Sequence, residues 1–373
     1  MRPSHRFALA VALLGAMAWT PARDSRLDGG SIERIASLET SRAAHSATAL
    51  ENDRLLVAGG MDAAGGSLRS AELVDLARAS VRALPSLGHA RAGHTATALS
   101  DGRVVLAGGY DGGYVRSVEV FDPARERFEE LGELYEGRSG HTATLLADGR
   151  ILIAGGVGRE WTFLSTAELF DPESGSSETV GALGVPRESH TATLLADGRV
   201  LVVGGHRGRR EGMEVYASAE IYVPATRSFT PTGALETARH KHDAVLLADG
   251  RVLVLGGADR TDRRYFETTE LFDPTSGSFS MGPPMENSRY KFQGTAVRLR
   301  GGDVLVASGA RTAELFDGRA LAFRAVDGGF PEAYYFATAT GLASGDVAII
   351  GGYGDGNRTT DGVWRFRSGV PDE

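Results

Sequence analysis

The chain of 373 residues carries 38 arginines and only two lysines, and both lysines occupy one place in a recurring motif. Lys241 and Lys291 each stand one residue before the last position of an Arg-x-x-His pattern, in two successive copies. The next copy places Tyr335 there, whereas the first four have Ala44, Gly93, Gly140 and Ser189. His240, Tyr290, Gln293 and Tyr334 fall close by in the same register. Two ammoniums beside phenols can seat a carboxylate, sulfate or phosphate, and aromatic faces can stack on a sugar or side chain. The plainer alternative is a pair of solvated surface lysines.

The motif ends in His45, His94, His141, His190 and His242, with Phe292 and Phe336 in the last two copies. These residues open a strand, so they should ring one mouth of a closed structure. Several imidazoles there could bind a metal or an anion. Five identical copies without a carboxylate fit better a residue that hydrogen-bonds its neighbour's backbone and serves folding. No metal site and no catalytic residue is assigned on this pattern, and no motif demands a cofactor.

Six copies begin with an arginine (Arg42, Arg91, Arg138, Arg187, Arg239, Arg289), and the same six carry a later glutamate (Glu72, Glu119, Glu168, Glu220, Glu270, Glu314). The seventh has Ala333 and Gly362 in those slots. Joint loss points to pairing within each copy, because a buried arginine needs a carboxylate.

The elements that hold these residues follow from the glycines. Gly-Gly recurs at 59–60, 108–109, 155–156, 204–205, 256–257 and 351–352, with Ser308-Gly309 as a seventh, degenerate copy. A period near 50 residues ending an apolar run is a repeat architecture. Each copy reads as four strands. A small-residue strand, Thr-Ala-Thr-Leu-Leu, suits a crowded axis. Asp-Gly at 101–102, 148–149, 197–198 and 249–250 predicts two-residue hairpins. An apolar run without alternation predicts a second strand buried on both faces. Asp-Pro ends the third strand, and Phe128, Phe229, Phe279 or Phe323 marks the fourth.

After Trp364-Arg365-Phe366 too little chain remains for a fourth strand. Residues 32–42 match residues 229–239, both ending Leu-Glu-Thr-x-Arg, so residues 31–38 should complete the last blade and close the ring. The loops after Gly-Gly vary most and should share one end. They bring Arg209 with His206, Arg207 and Arg210, Arg263 with Arg260, Arg264 and Tyr265, and Trp161 with Phe163. This basic, aromatic set on an acidic protein fits an acidic partner.

The Gly-Gly pair at this period, within His-Thr-Ala-Thr-Leu-Leu-Ala-Asp-Gly-Arg-Val-Leu-Val-x-Gly-Gly, resembles the Kelch repeat family, in particular bacterial exported Kelch proteins and the propeller of the galactose oxidase group. The resemblance implies an all-β, seven-bladed Kelch-type β-propeller, closed by the N-terminal strand completing the last blade, over residues 31–370. In Kelch proteins that bind peptides, contacts come from the mouth and from the loops after Gly-Gly. The matching positions here are His94, His141, His190, His242 and Lys241, with Arg209 and Arg263 in the loops.

Galactose oxidase-like enzymes bind copper through tyrosines and histidines, with one tyrosine linked to a cysteine. Tyr335 stands where such a tyrosine would, but the chain has no cysteine and Phe336 follows where a histidine would. That argues against copper radical chemistry. A sugar epimerase or mutarotase on such a ring would need an acid–base pair, for which Lys241, His242 and Tyr335 are the candidates.

The reading that leads is an exported binding protein, without a cofactor, that holds an acidic peptide, glycan or protein partner at one mouth of the ring. The alternatives are the sugar-active enzyme and a purely structural role. The net charge of −8 argues against nucleic acid. Residues 1–18 read as a signal peptide: Arg2 and Arg6, an apolar run over residues 7–15, then Ala16-Met17-Ala18. Residues 19–30 read as a linker. The expectation is a periplasmic or secreted monomer, with no membrane span after signal removal and no disulfide.

Overall fold

The computed structural model describes residues 29–368, so the signal peptide and most of the linker lie outside the described residues. Seven blades form a closed ring among the described residues, each of four antiparallel strands, and the last gains a short parallel strand, Asp327–Gly328, at its outer edge. Blade one consists of Ser46–Leu50, Arg54–Ala58, Ala71–Asp75 and Ser80–Leu84, paired in that order. The expected all-β, seven-bladed propeller is what the chain adopts.

Burial follows the strand composition. The second strands, such as Val200–Val203 and Val252–Leu255, are buried along their whole length. Blades pack flank to flank: Leu56, Ala58 and Leu87 of blade one share a cluster with Val104, Leu106 and Phe121 of blade two. Each such Leu, Val or Phe contributes roughly 1.5–3 kcal/mol by leaving water. The innermost strands, such as Thr142–Leu145, are only partly buried because they line the axial channel.

The Asp-Gly hairpins differ from expectation in turn type. Leu99 N–H donates to Arg103 O and Gly102 N–H to Leu99 O, and within the Asp-Gly pair only Gly102 has positive φ, at 87°. The loop therefore holds three residues ending in a left-handed glycine, a common alternative to the two-residue turn. Asp101 accepts Arg103 N–H and pairs with the Arg103 guanidinium, which fixes that geometry.

Closure is as the matching sequences predict. Ser31–Ser37 pairs antiparallel with Gly362–Arg367, with Ile32 opposite Phe366 and Arg34 opposite Trp364. Leu38 then packs with Leu55 and Val57 of blade one and Ile350 and Val363 of blade seven.

All six motif arginines are buried and meet their glutamates, for example Arg138 to Glu168 at 2.9 Å and Arg187 to Glu220 at 2.7 Å. The same guanidinium donates to the first Gly-Gly carbonyl of its blade, as Arg42 does to Gly59 O at 2.7 Å. The glutamate in turn takes backbone N–H groups from the preceding connection, as Glu72 does from Glu39 and Thr40.

Blade seven corrects the expected register by one residue. Tyr335 forms a bridge with Tyr353 as Ala43 does with Met61, and Ala337 meets Gly352 as His45 meets Gly60. Tyr334 therefore takes the arginine slot, Phe336 the lysine slot and Ala337 the histidine slot. Trp364, opposite Ile349 as Glu72 is opposite Val57, takes the glutamate slot. An aromatic pair with centroids 5.1 Å apart thus replaces the ion pair, and Phe330 packs against both rings.

Candidate functional site

The histidines lock blade to blade. Nε2 of His94, His141, His190 and His242 lies 2.9–3.1 Å from the hydroxyl of Ser46, Thr95, Thr142 and Thr191 on the preceding blade. His45 closes the circle on Thr338 at 3.2 Å. The partner is a side-chain hydroxyl rather than the backbone expected. Each ring also lies on the previous blade's first Gly-Gly glycine: a Cβ on Gly59, at φ 60°, would come within 2.8 Å of His94 Cε1. Burial pushes His94 and His190 down to about 3 and holds His45, His141 and His242 well below the usual histidine range. These imidazoles are neutral parts of the wall.

Two seams lack this link. Between blades five and six, Asp243 stands in the threonine slot and Phe292 in the histidine slot; between blades six and seven, Gln293 and Ala337 stand there. Asp243 accepts N–H groups of Ala244, Thr295 and Ala296 instead. Burial raises its carboxyl to about 6, against those hydrogen bonds.

The lysine position is left-handed in every blade, from Ala44 at φ 50° to Lys241 at 52° and Lys291 at 53°. This turn brings Lys241, Lys291, Tyr290 and Tyr335 together, but both ammoniums are partnered from within. Lys241 Nζ lies 2.9 Å from Asp262 Oδ2 and 3.1 Å from Tyr290 Oη. Lys291 Nζ donates to Tyr353 Oη at 2.6 Å, among the rings of Tyr290, Phe336 and Tyr353 at 5.0–5.6 Å. Tyr265 stacks on Tyr290 at 4.6 Å, and Tyr335 meets its edge. Tyr334 points into the blade-seven core. Arg263 is exposed on its loop and pairs with no acid among the described residues.

A cavity of about 700 Å³ opens at this mouth. Its wall is small-residued on blades one to four (Ala44, Gly93, Gly140, Ser189) and is completed by Lys241, Asp243, Gln293 and Phe336. At its rim stands Trp161, half exposed and at φ 61° in a short 3-10 turn, with Tyr110 and Tyr114 at 6.0 and 5.8 Å. The Arg209 guanidinium lies over the indole, 3.8 Å from the ring centroid.

Sequence reasoning missed Glu188 and Asp262, and took His206 only as part of a variable basic loop. Glu188 lines the cavity with its Oε2 3.7 Å from His206 Nε2. His206 Nδ1 lies 3.2 Å from His240 Nδ1, and His240 Nε2 stands 3.0 Å from Asp262 Oδ1 and 3.1 Å from Asp259 O. Burial raises the Glu188 carboxyl, against the pull of Arg209 and Lys241. Burial would also raise Asp262, but His240 and Lys241 together hold it far below the carboxylate range. The readable signal was position: among the copies, only Glu188 puts an acid directly after the motif arginine, and only His206 puts an imidazole directly after Gly-Gly. A β-bridge joins those two positions in the blade.

Comparison with known proteins agrees with this architecture. A model of the KLHDC2/KLHL20/DRC7 Kelch-repeats domain matches residues 93–309. A solved structure described as a novel fungal alcohol oxidase with catalytic diversity among the AA5 family, in complex with copper, superposes with a TM-score of 0.72. It is 17% identical to this chain and covers 91% of it, and 76% of the oxidase itself. No curated protein matches. At that identity the likeness shows the propeller alone. The residues here do not fit a copper centre: Tyr335 sits among tyrosines, and no group of three His, Cys, Asp or Glu side chains that could hold a metal occurs among the described residues. The domain model, spanning more than half of the sequence on a ring built from the repeated glycine pair, makes this chain a member of the Kelch-repeat family.

Proposed function

We propose that this propeller is a binding module for an acidic glycan, seated in the cavity at the loop-side mouth. The observation that carries the reading is Trp161. An exposed indole is held in a left-handed turn at the rim of a cavity, with two tyrosines beside it and an arginine laid on its face. Strained exposure of that kind persists where the surrounding structure enforces it and clusters at binding sites. Aromatic faces suit the C–H faces of a pyranose, and a few convergent polar groups give orientation. Arg209 pairs with no acid within ion-pair distance among the described residues, so its guanidinium is open to a ligand carboxylate or sulfate. Lys241, already partnered, shapes the opposite wall rather than seats the anion, and Lys291 is held among the rings behind it.

Titration with a panel of neutral and acidic oligosaccharides tests this. Trp161→Ala is expected to weaken binding roughly tenfold, as loss of one stacked aromatic does. Arg209→Ala is expected to erase the preference for acidic over neutral sugars. Binding that ignores both substitutions, or a panel that gives none, would refute the reading. Capture of acidic peptides alone would replace the glycan with a peptide.

A further inference from the structure

A second cleft, of about 580 Å³, lies beside the mouth cavity, between the loops that follow Gly-Gly in blades two and three. Tyr110, Tyr114 and Trp161 line both hollows, so these three side chains form a partition shared by the cavity and the cleft. Each volume falls within the range of about 300–1,000 Å³ that takes a small ligand.

The partition is held firmly. Val157–Gly158 and Thr162–Phe163 pair as a two-stranded hairpin, and Trp161 stands at its tip. Glu160 and Trp161 are consecutive left-handed residues, at φ 57° and 61°, and Thr162 N–H closes the turn on Arg159 O. The hairpin of the next blade, His206–Arg207 with Glu214–Val215, supplies the Arg209 that lies over the indole. The outer cleft adds a further aromatic side chain, Tyr135, which is 71% exposed. Its backbone is tied down, since its N–H donates to the buried Glu168. Part of the cleft's lining is bare backbone: a Cβ added to Gly112 would meet nothing within 4 Å, whereas one on Gly137 would strike Tyr114 O.

The two hollows differ in charge. The mouth cavity presents Arg209, which pairs with no acid among the described residues. In the outer cleft both guanidiniums are committed. Arg116 lies 3.2 Å from Glu133 Oε2 and donates to Leu134 O, and Arg159 lies 3.5 Å from Glu160 Oε1. Glu136 also lines the cleft, where its carboxylate accepts the Thr166 hydroxyl. The cleft therefore offers acceptors for sugar hydroxyls but no spare cation, and an anion placed there would be repelled by Glu136 and Glu160. We infer that the ligand is a chain of at least two sugars, with an acidic one in the mouth cavity beside Arg209 and an uncharged one in the outer cleft against Tyr135. The inference rests on the glycan reading above, to which it adds a second subsite and an order of residues. A proline-rich peptide also lies on exposed aromatic side chains, but its prolines have no N–H for the cleft carboxylates to accept.

Calorimetric titration of the whole protein tests this, with D-glucuronate, D-galacturonate and each uronate glycosidically linked to one glucose or galactose. The neutral residue is expected to tighten binding roughly tenfold over the free uronate. Tyr135→Ala should abolish that gain, and since the phenol is exposed and the backbone N–H to Glu168 remains, folding does not depend on the ring. Trp161→Ala should weaken the free uronate and the disaccharide alike, because the indole lines both hollows. If the free uronate binds as tightly as the disaccharide, or Tyr135→Ala lowers both by the same factor, the second subsite fails and the glycan reading stands. A disaccharide of two galacturonates that binds as tightly as the mixed one would overturn the order of residues. If no sugar binds, both readings fall.

Discussion

Acidification from pH 7 to pH 5 is expected to strip most of the folding stability from this protein. The five ring histidines are buried and neutral, with His94 and His190 pushed down to about 3. In the unfolded chain each titrates at its ordinary value near 6.5. Below that value the unfolded state binds protons that the folded state refuses, so stability rises with pH across this window and is lost as pH falls. The loss starts below about 6.5 and continues toward the depressed folded values. At pH 5 each ring has cost about 2 kcal/mol, so five set a ceiling of about 10 kcal/mol, comparable with the whole stability of an ordinary domain. Asp243, raised to about 6, and Glu188, also raised by burial, run the other way: their folded forms gain protons as pH falls, but they are two groups against five. Denaturant unfolding at half-unit steps of pH checks this. A midpoint that stays level between pH 7 and 5 would contradict the prediction. His94→Phe, imitating the Phe292 that rests on Gly256, should flatten the profile by about one ring's share, again about 2 kcal/mol at pH 5.

Glu168→Ala is expected to destabilise the ring by about 3 kcal/mol, because it leaves the buried Arg138 guanidinium with only the partly exposed Glu136 carboxylate, 3.9 Å away, as counter-charge. The same substitution frees the Tyr135 N–H that Glu168 accepts, so the connection from blade two loosens as well. Blade seven supplies the control. There Tyr334 and Trp364 fill the two slots without any charge. The double change Arg138→Tyr with Glu168→Trp removes both charges together, and is expected to lose less than Glu168→Ala alone despite changing more atoms. A double variant less stable than the single one would show that the ion pair, and not merely its neutralisation, holds the blade.

The parts of this molecule that could be read from the sequence are those written many times. The glycine pairs, the Arg–Glu partnership and the closing strand each announced themselves by recurrence, and the geometry follows them. Errors fell where a copy loses its anchors. Without the motif arginine, the Tyr334-Tyr335-Phe336 run offered no mark of register, and Tyr335 was placed one slot late. The histidines read both as folding residues and as contacts at the mouth, and a strand listing cannot say that the neighbouring blade presents a hydroxyl at that height. The run of side chains from Glu188 to Asp262 was hidden for a different reason. Glu188, His206, His240 and Asp262 belong to two blades and come together only across a β-bridge and a blade seam, so no spacing along the chain connects them. The two ammoniums were visible as an oddity, while the Asp262 that neutralises Lys241 lay unremarked in a loop read as basic.

The clasp between Ser31–Ser37 and Gly362–Arg367 also sets an order of events during synthesis. The first strand of the propeller to be made must wait for the last one. Blades one to six can each pair their own four strands as they emerge, by local hairpins that form in microseconds. The early strand meanwhile keeps an unsatisfied edge, and its search is for a partner more than 300 residues away, the slowest kind of encounter a chain can be asked to make. A chaperone or a transport machine that holds that leading segment extended would therefore keep the ring open without touching any other blade.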